Sequence, residues 1–226
     1  AALAENIVNI GNGAGCNTMA IITDMNQPLA SNAGNALEVI EVIKYLQGDF
    51  SNSRLHNVTL TLASAMLQAA KVASSEEEAN KKLLNVLSNG KALEIFAKMI
   101  SELGGPIDFV ENYNNYLVKS KIIKPLYAPN EGIVSAIDTK MVGLAVVSLG
   151  GGRTKVTDNI NYEVGLSNIA SIGEEVNKDR PLAIIHAKDD NSFNIAANAL
   201  LNAINIAPIG SKVDLPKTIY KQIKVT

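Results

Sequence analysis

A two-part α/β chain is what this sequence predicts, and three observations carry the prediction. Apolar residues recur at helical spacing through the first half, as in Val39, Ile40, Ile43 and Leu46. A short apolar run over residues 18–22 opens into a polar loop and then a helix, the order in which an α/β sheet presents its ligand crevice. After Lys121 the helical spacing gives way to short β-prone runs separated by Pro, Gly, Asn and Asp. The change falls near Ile123, so the chain divides into segments 1–122 and 123–226.

In order, residues 4–12 carry Ile7 and Ile10 at helical spacing and stop at Gly11 and Gly13. A strand over 18–22 and a loop of Asp, Asn and Gln follow, then a helix from about 33 to 46 that Asn32 or Asn35 can cap. Ser53 caps a helix through Leu55, Leu62 and Met66, and Ser75 with Glu78 forms a capping box for the next. Leu93, Phe96, Ile100 and Leu103 mark another helix, ended by Gly104-Gly105-Pro106, and residues 106–116 read as a connector packed by aromatics. The β-prone runs are 122–127, 132–136, 144–149, 162–164 and 182–186, with a last strand over 219–225. Two units, one at Gly132-Ile133-Val134 and one from Gly173 to Ala183, repeat a glycine turn followed by a strand, the pattern of a barrel-sandwich or hammerhead. Asp190 or Asn191 caps a helix over 193–206.

Composition narrows the function. The 226 residues are 47% hydrophobic with a net charge of −2, which supplies a sizeable core and no basic footprint for nucleic acid. No apolar run is long enough to span a bilayer, so no membrane partner is expected. One cysteine, Cys16, rules out an internal disulfide and fits a reducing, cytoplasmic setting. The first residues, Ala1-Ala2-Leu3, include no initiator Met and no leader-type segment, as expected of a chain that begins inside a helix of a longer protein.

The motifs are more specific than the composition. Thr23-Asp24-Met25-Asn26-Gln27-Pro28-Leu29 followed by Gly34-Asn35-Ala36-Leu37-Glu38-Val39 closely resembles the thymidine phosphorylases of the pyrimidine nucleoside phosphorylase family. Phe109-Val110-Glu111-Asn112-Tyr113 continues the resemblance. So do Ala128-Pro129, Glu131-Gly132, Ile137-Asp138-Thr139, Gly150-Gly151-Gly152-Arg153, Asp158, Val164-Gly165 and Ile185-His186-Ala187. One departure is Asn161, where the family usually has Asp. The resemblance implies part of a mixed-sheet α/β domain followed by an α/β-hammerhead C-terminal domain. It also implies phosphorolysis of a pyrimidine nucleoside, and a homodimer for the full-length enzyme.

Such chemistry needs a cradle for the phosphate nucleophile and a group that stabilises charge on the departing base. In the family a Lys-x-Ser-Thr-Gly-Gly loop and an Arg, Ser and Lys trio supply them. Neither lies within these residues, so no catalytic, phosphate-binding or base-binding residue is assigned and the chain alone is expected to be inactive. The resemblance implies a monovalent cation held by the Leu29 and Asn32 carbonyls and the Glu41 carboxylate; no other cofactor is required. Gly152 and Arg153 lie in a loop that the family places at the cleft, where it helps hold a closed state. As an isolated feature that loop reads as a solvated β-connection, because no helix follows it to complete a phosphate loop. His56 and His186 have no Cys or second His at ligand spacing, so zinc is not expected and His186 reads as structural. A broader uridine and thymidine phosphorylase is one alternative. A biotinyl- or lipoyl-like carrier is another, with Lys140 of Asp138-Thr139-Lys140-Met141 presented on a hairpin.

Overall fold

The computed structural model describes residues 1–224. The fold is α/β: among the described residues eight α-helices are interspersed with eight strands. The strands form a two-stranded sheet, β1 (Ala20–Thr23) with β8 (Ile219–Ile223), and two three-stranded sheets, β2 (Ile122–Leu126), β6 (Ala183–Ala187), β4 (Gly165–Ser167) and β5 (Glu175–Val176), β3 (Gly132–Ile137), β7 (Ile204–Ala207), each in that order. Among the described residues every pairing is antiparallel and no sheet closes on itself. Compactness groups the chain into two units, one of residues 1–24, 46–96 and 216 onward, the other of residues 25–45 and 97–215. The composition boundary near Ile123 lies inside the second unit.

In the first unit α1 (Ala2–Gly13) leads to β1 (Ala20–Thr23), which pairs with β8 (Ile219–Ile223). The Asn12 side-chain amide ends α1 by donating to the Val8 carbonyl at 2.7 Å and the Thr18 carbonyl at 2.8 Å. α3 (Ser53–Ala69) is capped one residue earlier than the sequence suggests, by Asn52, whose side chain accepts from the Leu55 amide. Ser53 is thus the first helical residue; either side chain has the acceptor a cap needs, and backbone placement chose between them. α4 (Glu76–Ser88) is capped by Ser75 as its spacing predicts. The Glu78 carboxylate turns back to the Ser74 amide and hydroxyl, and the Lys82 ammonium, then the Ser74 hydroxyl and amide, hold its pKa down to about 2.

The second unit holds the largest core. β2 (Ile122–Leu126), β3 (Gly132–Ile137), β4 (Gly165–Ser167), β5 (Glu175–Val176), β6 (Ala183–Ala187) and β7 (Ile204–Ala207) supply its sheets. Val134, Leu166, Val176, Leu182 and Ile185 are buried there with Leu149 and Leu200. Along β6 the buried Ala183, Ile185 and Ala187 alternate with half-buried Ile184 and His186, so one face meets the core. α2 (Asn35–Leu46) begins in this unit.

Three expectations here are corrected. The run at 144–149 is helical, α7 (Thr139–Val146) continued by a π-helical turn (Val147–Gly151). An apolar run of this kind has no alternation to distinguish strand from buried helix, and Asp138 decides it by accepting from the Met141 amide at 3.0 Å. The aromatic connector is a helix, α6 (Phe109–Tyr116), with Phe109 stacked on Tyr116 at 5.9 Å and the Tyr116 hydroxyl donating to Asp108. The last helix, α8 (Asp190–Ala203), is capped by Asp189 and stops at Ala203 because Ile204 and Ile206 are drawn into β7 opposite β3.

One crossing sets the position of the polar loop before α2. Ala33 and Leu166 exchange two backbone hydrogen bonds of 2.9 and 2.7 Å, so the loop adds a bridge to the edge of β4. Gly34 (φ +137°) and Gly165 (φ +154°) make this possible. A Cβ on Gly34 would lie 2.6 Å from the Val164 carbonyl oxygen and 2.9 Å from the Gly165 Cα. Gly34→Ala should therefore lower stability by about 2 kcal/mol or more through backbone strain and overpacking. Gly13→Ala, at the open end of α1 with nothing within 4 Å, should be neutral or stabilising. Denaturant midpoints of the two variants check both.

Candidate functional site

The signature loop spends most of its polar groups on its own scaffold. Asp24, at the end of β1, is buried, with its carboxylate 3.3 Å from the Arg54 guanidinium and its amide donating to the Thr218 carbonyl. In the second unit buried Gln27 accepts from the Ile172 amide at 2.9 Å. The Ser31 carbonyl accepts from the Ile169 amide, and the Asn32 side-chain oxygen from the Asn168 amide. Glu41, one helical turn or more into α2, receives the Ser31 amide and hydroxyl on Oε1, at 3.1 and 3.0 Å, and the Asn32 amide on Oε2 at 3.0 Å. Neither asparagine caps α2 as expected. Asn35 is its first residue and Asn32 donates to the Leu37 carbonyl, while the Glu38 carboxylate returns to the Gly34 amide.

The glycine loop is tied to the same helix. The Asn35 side-chain amide donates to the Gly151 carbonyl at 3.1 Å, and the Ala36 amide to the Tyr162 carbonyl at 3.2 Å. Gly150 (φ +98°) lets the π-helical turn bend back, and its carbonyl accepts from the Asn161 amide. Gly152 and Arg153 follow immediately, with the Arg153 side chain exposed. The loop then runs on without entering a helix, so its amides do not converge at a helix N-terminus. Asn161 also pairs with Glu163, giving its amide to the Glu163 carboxylate and accepting from the Glu163 backbone. An Asp at 161 could accept that backbone bond but would face Glu163 as a like charge.

Two family models match the chain. The glycosyl transferase family a/b domain matches residues 1–93, and the pyrimidine nucleoside phosphorylase C-terminal domain matches residues 133–207. Over these two segments the chain is similar to the pyrimidine nucleoside phosphorylase family. Its enzymes are of the pentosyltransferase type, so phosphate and nucleoside are the substrates of the family. The signature loop and α2 fall in the first match; most of the second three-stranded sheet, the glycine loop and all of α8 fall in the second.

The remaining candidates find places in this phosphorylase framework. Leu29, Asn32 and Glu41 lie on one loop-helix unit, and Asn32 and Glu41 are in direct hydrogen-bonded contact. Lys140 stands in the first turn of α7 behind the Asp138 cap, not at a hairpin tip, so it lacks the presentation a carrier lysine needs. Cys16 is exposed. Among the described residues no cluster of three His, Cys, Asp or Glu could hold a metal. Sequence reasoning missed the linking role of Asn35 and the part played by Asp158, because their partners lie far along the chain or in a turn of unpredicted geometry.

His186 has a structural partner: its Nε2 lies 2.8 Å from the Ser167 hydroxyl on the neighbouring strand β4. Burial pushes the imidazole below its ordinary value of 6.5. The neutral ring is thus the form the fold favours, and its contribution is complete above the unfolded value and lost as pH falls from there through the folded one. The denaturation midpoint of the native chain should drop relative to His186→Gln between pH 7.5 and pH 5. A constant gap between the two would show that His186 is not the titrating group.

Proposed function

We propose that this chain is the C-terminal half of a thymidine phosphorylase. The reaction is the reversible phosphorolysis of thymidine to thymine and 2-deoxy-α-D-ribose 1-phosphate, in cytoplasmic pyrimidine salvage by a homodimeric enzyme. A phosphate oxygen forms a bond to C1′ of the sugar as the bond from C1′ to the base nitrogen breaks, and the departing base takes the bonding pair. The supporting observation is that the signature loop and the glycine loop, far apart in sequence, meet at the first turn of α2. A scaffold of this kind positions a cleft; it does not itself supply the cation needed against phosphate or against the departing base. The 226 residues contain no Lys-x-Ser-Thr-Gly-Gly loop and no base-binding trio, so turnover requires those groups from another segment. Gly152 and Arg153 serve in closing the site, which excludes water before the chemistry.

Thymine release from thymidine in the presence of phosphate tests the reading. The chain alone should give none, and the chain supplied with a segment bearing both missing motifs should turn over thymidine. Release by the chain alone would overturn the half-enzyme assignment. Silence from the folded assembly would overturn the activity. Comparing kcat/KM for uridine and thymidine in that assembly separates a thymidine enzyme from a broader pyrimidine one.

The Leu29 and Asn32 carbonyls with Glu41 make an all-oxygen set, which suits a hard cation. Among the described residues Glu41 Oε2 accepts one hydrogen bond, from the Asn32 amide, which leaves lone-pair capacity for such an ion. Bound there, a monovalent cation would brace the loop against α2. Potassium should raise the melting temperature of the native chain and leave that of Glu41→Gln unmoved; an equal response of both would remove the site.

A further inference from the structure

The glycine loop is assembled around one side chain. Asp158 Oδ2 accepts from the Thr154 hydroxyl at 2.6 Å, the Lys155 amide at 2.9 Å and the Thr154 amide at 3.0 Å. The Asp158 carbonyl accepts from Arg153 Nε at 3.0 Å. A single residue thus closes the ring 153–158 through both its carboxylate and its backbone. The Thr154 hydroxyl, then the Lys155 and Thr154 amides, hold the carboxylate below its ordinary range. Anchoring Nε restrains the Arg153 guanidinium, whose two terminal nitrogens form the edge by which arginine makes paired bonds to an acceptor.

The base of the loop is held differently. Its tie to α2 is the exposed Asn35 bond to Gly151 and the Ala36 amide bond to Tyr162, and its two ends meet where the Asn161 amide donates to the Gly150 carbonyl. The tip at Val156 is 93% exposed and adds no packing. The inner ring and the base therefore rest on separate sets of bonds.

We infer that Asp158 is the positioning residue of this loop: it holds Arg153 in one orientation and makes residues 153–158 a preassembled unit that moves about its base at Gly150 and Asn161. The role rests on the reading of Arg153 as a residue of site closure. A preassembled unit loses little conformational entropy on closing, because its internal bonds are already made.

Hydrogen exchange followed by NMR on the chain tests the inference without turnover. The Arg153 Nε proton and the Thr154 and Lys155 amides should be protected in the native chain. Asp158→Ala should speed exchange at all three roughly tenfold or more while the global denaturation midpoint holds, because only a local opening is altered. Asp158→Asn, which keeps an oxygen where Oδ2 sits, should restore part of the amide protection. Asn35→Ala should loosen the Asn161 amide and leave the ring protected. Protection unchanged in Asp158→Ala would overturn the inference, as would loss of the ring in Asn35→Ala. Should Asp158→Ala fail to fold, Asp158→Asn and Asn35→Ala decide. In a catalytically competent assembly, Asp158→Ala should lower kcat with Asp158→Asn between it and the native protein; a native assembly that does not turn over bears on the activity alone.

Discussion

Two glycines facing each other across a backbone crossing set the geometry of the second unit. With no side chain at Gly34 or Gly165, Ala33 and Leu166 approach closely enough to exchange two hydrogen bonds. That bridge fixes the signature loop on the edge of β4 and sets where α2 begins. Asn35 and Ala36, in the first turn of α2, then reach Gly151 and Tyr162 at the two sides of the glycine loop. A methyl group at either glycine would separate the strands at the start of this series of contacts.

The family signature turns out to be structural in most of its polar positions. Within the motif Asp24 is paired with Arg54, Gln27 holds the Ile172 amide and Asn35 the Gly151 carbonyl, while Glu41, just beyond it, gathers Ser31 and Asn32. Each of these groups is committed to the backbone or to a neighbouring charge, as buried polar groups must be. The motif thus carries its resemblance to the phosphorylases in residues that hold its own scaffold together. The glycine loop follows the same logic, with Asp158 taking the donors that an anion would need.

Local chemistry was legible where a few neighbouring residues decide the outcome. Ser75 capping α4 with Glu78 three residues on, the strands at 122–126 and 132–137, and His186 as a structural residue all follow from short patterns. The misreadings share a cause. The apolar run at 144–149 has no period that separates strand from buried helix, and the cap that settles it, Asp138, lies well upstream. Ile204 and Ile206 continue the helical spacing of α8, yet pairing with β3 claims them. The last helix and last strand of that region compete for the same residues, and a partner some seventy positions away decides.

By itself the sequence determined the resemblance to the phosphorylases, the α/β class, the order of most elements and the absence of the phosphate and base motifs from these residues. Those properties lie in residue identity and near-neighbour spacing, which need no third dimension. Tertiary structure alone decided that Ala33 would pair with Leu166, that Asn35 would hold the glycine loop and that Glu41 would turn back to Ser31 and Asn32. Those bonds link groups brought together only when the backbone crosses itself at Gly34 and Gly165, and a spacing rule along the chain has no term for such a meeting.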